Sequence, residues 1–183
     1  MPDRSALDGQ PNTDPQGGQP YGIRPVRPDE YDTVAALTLA AFSTVPDEVI
    51  EGGYRTELLD VAGRASAAEV LVAVDPDGRL LGAVTYLPSA ESSWAEFDDP
   101  DAAGIRMLAV DPSVTRRGVG RALTVACIDR ARAAGRRRMV LHSTIGNTLA
   151  QGMYERLGFR RDPAADWNPE PGVHLLGFEL PLD

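Results

Sequence analysis

Residues 105–123 read IRMLAVDPSVTRRGVGRAL, and this stretch joins a short apolar run to a pair of closely spaced glycines. The run Ile105–Val110 is almost wholly apolar, which is typical of a strand buried on both faces. Pro112 cannot donate a ladder hydrogen bond, so the strand must end before it. A helical pattern starts at Gly118 and Gly120. The stretch therefore predicts a strand, a glycine-containing turn and a helix.

The predicted turn has the composition of an anion-binding site. The free N–H groups of a first helical turn and the helix dipole both favour negative charge, and Gly118 and Gly120 have no Cβ to obstruct an anion. Positive charge around the turn comes from Arg116, Arg117 and Arg121. A P-loop would need Gly-Lys-Ser or Gly-Lys-Thr here, and a dinucleotide-binding loop would need a third glycine where Leu123 stands. Neither pattern is present.

Two motifs resemble those of the GCN5-related N-acetyltransferase (GNAT) family. Residues 114–123 resemble the loop that binds the pyrophosphate of acetyl-CoA, with the family pattern Gln/Arg-x-x-Gly-x-Gly/Ala. Gly118 and Gly120 match this pattern, and Thr115 departs from it at the first position. Residues 147–159 resemble the family helix that ends in Tyr-x-x-x-Gly-Phe. Two motifs in this order are far more specific than either one alone.

The resemblance implies acetyl transfer from acetyl-CoA, the co-substrate, to a primary amine of a small molecule or peptide, by direct attack in a ternary complex. Tyr154 would protonate the departing thiolate, and Asn147 would contact the pantetheine arm. Main-chain groups of Leu108, Ala109 and Val110 would pair with the same arm. The pyrophosphate would lie on Arg116, Arg117, Gly118, Val119, Gly120 and Arg121. No metal site is expected.

The base that removes a proton from the acceptor is less clearly marked. An alkyl amine has a pKa of about 10 and must lose a proton before it attacks. Family members often carry a glutamate near the start of the core strand, but here residues 103–105 read Ala-Gly-Ile. Glu96, Asp98 and Asp99 are the nearest candidates, and we predict Glu96. His142 is a candidate base or acceptor ligand, although a strand histidine with a satisfied hydrogen bond is the more usual role.

Periodicity and turn signals predict strand, two helices, three strands, helix, strand, helix and two strands. This order indicates an α/β fold with a mixed, mostly antiparallel central sheet and helices on both faces. The resemblance adds two splayed parallel central strands, as in the acyl-CoA N-acyltransferase fold. Asp29 is the expected cap of the first helix, and Pro88–Gly104 the expected long acidic loop. In the acidic region 47–63, we interpret Glu48, Glu51, Glu57 and Asp60 as solvated helix residues.

Composition limits the domain organisation and the partners. The chain has 183 residues, 43% hydrophobic and 25% charged, which fits one globular domain. We expect residues 1–20, rich in Pro, Gly, Gln and Asp, to be a disordered tail, and residues 21–183 to be the N-acetyltransferase domain. The net charge of −9 argues against nucleic acid and anionic membranes as partners and suits a cationic amine. One cysteine excludes an intrachain disulfide framework, which suits the cytoplasm.

Two other classes of function stay open at this point. A non-catalytic regulatory module that binds acyl-CoA would keep the anion turn but would need no acid at Tyr154. A structural or toxin–antitoxin-like role would need an exposed apolar patch. A homodimer is compatible with the sequence. Release of free thiol from acetyl-CoA in the presence of amines would separate an enzyme from both alternatives.

Overall fold

The computed structural model describes residues 21–42, 53–169 and 172–182. Strands of this part form one sheet in the order β1-β2-β3-β4-β5-β7-β6. The strands are β1 (Gly22–Pro25), β2 (Glu69–Val74), β3 (Leu80–Leu87), β4 (Ala102–Val110), β5 (Arg138–Thr144), β6 (Arg160–Arg161) and β7 (Leu175–Pro181). The α-helices are α1 (Tyr31–Ala41), α2 (Gly53–Leu59), α3 (Val61–Ala67), α4 (Val119–Ala133) and α5 (Thr148–Arg156).

The sheet is mixed and mostly antiparallel, which confirms the predicted fold class. Among the described strands, β4 and β5 run parallel, as a strand–helix–strand connection requires, and the other neighbours run antiparallel. Alternate residues of a strand face opposite sides of a sheet. In β2, Leu71 packs in the core that includes α4, whereas Val70 packs in the core that includes α1 and α3. The helices therefore cover both faces, as expected.

The predicted long loop is shorter than expected, because β4 begins at Ala102. The low β propensity of Ala102, Ala103 and Gly104 favours a loop, but all three are fully or almost fully buried and pair with β5. Tertiary pairing overrides propensity here. Gly104 also leaves room for Phe97, because a Cβ at this position would lie 2.4 Å from a carbon of the Phe97 ring. The connection that remains, residues 88–101, is held close against the sheet.

The predicted cap at Asp29 is wrong, since its neighbour Glu30 organises the start of α1. Pro28–Glu30 forms a 3-10 turn, and Glu30 occupies the N-cap position of α1. The Glu30 carboxylate accepts hydrogen bonds of 2.6 and 2.8 Å from the Arg24 side chain and one of 2.9 Å from the main-chain N–H of Arg27. Asp29 has an exposed side chain. Glu30 thereby fastens α1 to strand β1.

Two sequence expectations lie outside the described residues. These are the disordered tail, residues 1–20, and the role of Glu48 and Glu51 as solvated helix residues. None of the helices in the described ranges has the length and hydropathy that crossing a bilayer requires.

We expect Glu30→Gln to destabilise the protein at neutral pH but not in acid. Hydrogen bonds from Arg24, together with those from Arg27, lower the pKa of Glu30 from 4.5 to about 2. A carboxyl group with a depressed pKa stabilises the folded state above its unfolded pKa, and that contribution is lost as the pH falls toward the folded value. Urea unfolding should show a loss of about 1–3 kcal/mol at pH 7, and the difference from wild type should shrink between pH 4.5 and pH 2.

The matched control for this prediction is Asp29→Asn, which changes the neighbouring exposed carboxylate. It should leave the free energy of unfolding nearly unchanged at pH 7. A loss for Glu30→Gln that is the same at neutral and acidic pH would show that the carboxylate charge is not what fastens α1 to β1.

Candidate active site at the fork between β4 and β5

Strands β4 and β5 diverge in the middle of the sheet. In the described residues, the two strands pair from Ala102 opposite Arg138 to Ile105 opposite Leu141, where their pairing ends. Beyond that point β4 continues against β3 as far as Val110, and β5 continues against β7 as far as Thr144. The inner edge of β4 from residue 106 onward is therefore not paired with β5, and a strand edge of this kind can hydrogen-bond an extended group.

A β-bulge in β4 accounts for the divergence. Ala83 of β3 pairs with Ala109 and Thr85 pairs with Arg106, so β4 uses three residue steps where β3 uses two. Met107 inside this bulge has φ of +53°, in the left-handed region that non-glycine residues seldom adopt. Because a bulge bends the strand that carries it, β4 turns away from β5 directly after the last pair.

The turn after β4 leaves the first helical N–H groups of α4 open. Gly118 is the N-cap residue with φ of +81°, where glycine has no steric penalty, and it supplies no side-chain cap. The N–H groups of the first turn have no partner within a helix. The side chains of Arg116, Arg117 and Arg121 are exposed, and no described carboxylate lies within ion-pair distance of them. This turn can therefore hold an anion.

The start of α4 lies close against the end of β4. A Cβ at Gly120 would lie 3.4 Å from Val110 Cγ2, 3.6 Å from Met153 Sδ and 3.8 Å from Leu108 Cδ2. These are tight or ordinary van der Waals distances, so the Cβ of an alanine fits with little adjustment. The unpaired part of β4 and the anion turn are thus held together as one surface.

In the second motif, residues 147–159, Asn147 and Tyr154 have defined structural roles. Asn147 caps α5, and its Oδ1 accepts a 3.3 Å hydrogen bond from the N–H of Ala150. Tyr154 is buried, with its ring centre 5.6 Å from that of Phe159 and 6.2 Å from that of Phe178. Burial raises the pKa of Tyr154, so the phenol keeps its proton at neutral pH.

Glu96 reaches the apex of the fork. Its Oε1 lies 2.6 Å from an Arg106 nitrogen, and its Oε2 lies 3.7 Å from His142 Nδ1. Arg106 and His142 are the first residues of β4 and β5 beyond the last pair, Ile105–Leu141. The carboxylate therefore bridges the two strands at the point where they separate. Burial raises the pKa of Glu96, and the charges of Arg106 and His142 oppose this effect.

Several contacts hold the segment that carries Glu96. The carbonyl of Trp94 accepts a 3.2 Å hydrogen bond from Arg106, and the Arg106 guanidinium lies 5.8 Å from the centre of the Trp94 ring. Phe97 occupies the space over Gly104. Among the candidate bases, Asp99 instead pairs with Arg138 at 3.0 Å on the outer part of the sheet. Of the acidic residues in this connection, Glu96 is the one placed at the fork.

Sequence interpretation missed the role of Glu57. It lies on helix α2 with an exposed side chain, as expected, but its carboxylate also lies 3.2 Å from Arg106. The side chain remains 46% exposed, so this ion pair is screened by solvent. The one signal in the sequence was Arg106 itself, a single charge in an apolar strand, which needs carboxylates close by.

A second buried arginine lies beside the bulge. Arg64 on α3 is 1% exposed, and its guanidinium contacts Met107 Sδ. No described carboxylate lies within 4 Å of it. Burial lowers its pKa to about 10, so the side chain is still cationic at neutral pH. A buried positive charge therefore lies next to the bulged residue.

Comparison with known proteins identifies a family. Residues 36–159 match the sequence profile of the acetyltransferase (GNAT) family. A mycothiol acetyltransferase from Gordonia bronchialis is 34% identical over 124 residues, which cover 67% of this chain and 37% of that protein. A mycothiol acetyltransferase from Actinosynnema mirum is 29% identical over 160 residues, 86% of this chain and 50% of that protein. The chain thus spans at most about half the length of these curated relatives.

Solved structures share the fold. The protein yncA from Salmonella typhimurium, solved with its cofactor acetyl-CoA, has a TM-score of 0.65 and 21% identity, with 89% of this chain and 94% of that chain covered. A GNAT acetyltransferase from Staphylococcus aureus has a TM-score of 0.68 and 13% identity, with 89% and 99% covered. At these identities the similarity concerns the fold alone.

Proposed function

The chain belongs to the acetyltransferase (GNAT) family, and we propose that it moves an acetyl group from acetyl-CoA to a primary amine of a small molecule or peptide. The amine attacks the thioester directly in a ternary complex. One observation carries the proposal: an uncapped glycine turn begins the helix that follows a strand whose inner edge is not paired with β5. This combination offers an anion site next to a slot for an extended, hydrogen-bonding arm.

Acetyl-CoA fits this surface as the co-substrate. Its pyrophosphate would accept hydrogen bonds from the first turn of α4, with the exposed arginines of the turn adding charge. Its pantetheine arm would pair with the main chain of Leu108, Ala109 and Val110 like an added strand. Asn147 uses its Oδ1 to cap α5, so its amide N–H₂ group is the part that would donate to the arm. The buried charge of Arg64 lies beside the bulge and would favour negative charge developing on a thioester oxygen held there.

The proposed acid and base lie on opposite faces of the sheet. Ile105 and Leu141 pack in the same core as Tyr154. The next residue along each strand, Arg106 or His142, faces the other side, where Glu96 meets both. The amine would therefore lose its proton to Glu96 on one face, and the thiolate would take a proton from Tyr154 on the other. Burial raises the pKa of Glu96, which makes this carboxylate a stronger base than an exposed one.

The acceptor we propose is a positively charged amine, which the protein's net charge of −9 would attract. The relatives named mycothiol acetyltransferase support a small polar acceptor. We further propose that the enzyme acts in the cytoplasm on neither nucleic acid nor membranes, which suits the buried free thiol of Cys127. A disordered tail over residues 1–20 and association as a homodimer remain predictions.

Thiol release tests this function. Purified protein is incubated with acetyl-CoA and a panel of alkyl amines, amino-acid amides, amino sugars and short peptides, and free CoA is measured with a thiol reagent. Amine-dependent release with formation of the N-acetyl product supports the proposal. Binding of acetyl-CoA without release from any amine would instead indicate a non-catalytic acyl-CoA-binding module. Absence of both binding and release would contradict the proposal.

We expect Gly120→Glu to weaken acetyl-CoA binding by at least about 100-fold, measured by calorimetry. The variant adds a negative charge within the anion turn and a side chain against Val110 and Met153. Gly120→Ala is the matched control, because its Cβ meets those neighbours at 3.4 and 3.6 Å and should fit. If the folded glutamate variant binds acetyl-CoA as tightly as the alanine variant, the pyrophosphate does not bind at this turn.

We expect Tyr154→Phe to lower kcat by tenfold or more while leaving the affinity for acetyl-CoA unchanged. The substitution keeps the ring that packs against Phe159 and Phe178 and removes the proton donor. General acid catalysis contributes about 10²–10⁴-fold, and a thiolate leaving group lies at the lower end of this range. Thermal unfolding checks that the core is intact. If Tyr154→Phe turns over at the wild-type rate at every pH, with chemistry rate-limiting, another group must protonate the thiolate.

A further inference from the structure

His142 and Glu96 meet at the apex of the fork. The imidazole Nδ1 lies 3.7 Å from Glu96 Oε2, and the two side chains are 12% and 22% exposed. Both are therefore enclosed but still reachable from solvent. The other carboxylate oxygen, Oε1, is held at 2.6 Å by Arg106, so Oε2 is the oxygen that faces the imidazole.

One hydrogen bond fixes which nitrogen of His142 titrates. Nε2 lies 2.9 Å from the carbonyl oxygen of Ala165. A carbonyl can only accept, so Nε2 must carry a hydrogen in the neutral and in the charged imidazole. The nitrogen that gains and loses a proton is consequently Nδ1, which faces Glu96. The ring is further held by Trp167, whose centre lies 6.2 Å away in an edge-on arrangement.

We propose that Glu96 and His142 form one proton-accepting pair, in which Glu96 contacts the acceptor ammonium and His142 stores the proton. This inference rests on the proposed acetyl transfer. A carboxylate alone is a weak base for an ammonium group, whereas a histidine changes its charge between pH 5 and 8. The pair thus provides a second site, next to Glu96, that can hold the proton.

The surrounding charges suit a cationic acceptor. Two carboxylates, Glu57 and Glu96, face the single guanidinium of Arg106, so these three groups carry one net negative charge while His142 is neutral. Asp166 approaches His142 from the segment that follows β6, but it is paired with Arg161 at 2.8 Å. Protonation of His142 on Nδ1 would neutralise the remaining charge next to Glu96. The transferred proton is thus stabilised where it is held.

The proton count of the proposed reaction is complete. The ammonium gives one proton to Glu96, which passes it to Nδ1 of His142 once the two groups close the 3.7 Å between them or through one bridging water. The neutral amine then forms the C–N bond with the thioester carbon, the C–S bond breaks, and Tyr154 protonates the thiolate. The second nitrogen proton restores the Tyr154 phenol by way of solvent, and His142 releases its proton to solvent. The net products are the acetamide, free CoA and one proton.

The variant His142→Gln tests the pair. Glutamine has an amide N–H₂ group that can still donate to the Ala165 carbonyl, but it cannot take up a proton. With an alkyl amine of pKa about 10, kcat at pH 7 should fall by about tenfold or more. With the α-amine of an amino-acid amide, pKa about 8, the loss should be smaller. Both losses should narrow above pH 9, where solvent supplies more neutral amine.

The matched control is His174→Gln, which alters the other of the two histidines of the chain. His174 is exposed and its Nδ1 lies near Asn168 rather than in the fork. This variant should retain the wild-type pH profile with both amines. Wild-type kcat for His142→Gln at pH 7, or a loss of the same size for both amines and at every pH, would overturn the pair.

A second measurement does not depend on finding the acceptor. NMR of the two histidine rings follows the titration of each in wild type and in Glu96→Gln. The midpoint for His142 should move to lower pH when the facing carboxylate is removed, while that of His174 stays in place. An unmoved His142 midpoint would overturn the pair even if acetyl transfer is established. If the His142 midpoint moves but no amine releases thiol from acetyl-CoA, the proposed acetyl transfer is refuted while the interaction of Glu96 with His142 is supported.

Discussion

The bulge at Met107 is the constraint on which the rest of the structure depends. A parallel pair of central strands normally continues its ladder to the end of the shorter strand, but here β5 remains paired with β7 while its pairing with β4 stops after Ile105. The extra residue in β4 and the positive φ of Met107 produce this split. The cost of the strained conformation is of order 1–3 kcal/mol. It is tolerated because β3 holds β4 on the other side of the bulge as far as Val110.

The split also separates two chemical environments. On one face, Tyr154 lies among Phe159, Phe178 and the residues of α4, where burial keeps its proton in place. On the other face, Glu96 lies among charged and aromatic side chains from separate segments. A sheet whose central strands remained paired would place a continuous layer of backbone between these faces. The fork opens that layer where a thioester held along β4 would meet an amine.

Local signals predicted the turn and helix of this site but not how Glu96 and His142 come together. The turn and helix α4 follow from adjacent residues, because Gly118 must adopt positive φ and apolar spacing marks the buried helix face. The meeting of Glu96 with Arg106 and His142 depends on how three distant segments pack, and neither periodicity nor turn chemistry reports such contacts. The start of β4 was missed because the burial of Ala102 in the sheet overrides its weak strand propensity. The choice of Glu30 over Asp29 likewise depends on Arg24, which lies on another element.

Arg106 decides whether Glu96 can act as a base at all. Burial raises the pKa of Glu96 and so favours the neutral acid, while Arg106 at 2.6 Å favours the carboxylate. Without the guanidinium, burial would raise the pKa of Glu96 further and favour the neutral acid, which cannot accept a proton from the amine. The Arg106 side chain is only 14% exposed, so its positive charge needs partners. It has two, Glu96 and the more solvated Glu57. Glu57 therefore shares the charge of Arg106, which leaves Glu96 oriented but less strongly stabilised as an anion than in an exclusive ion pair.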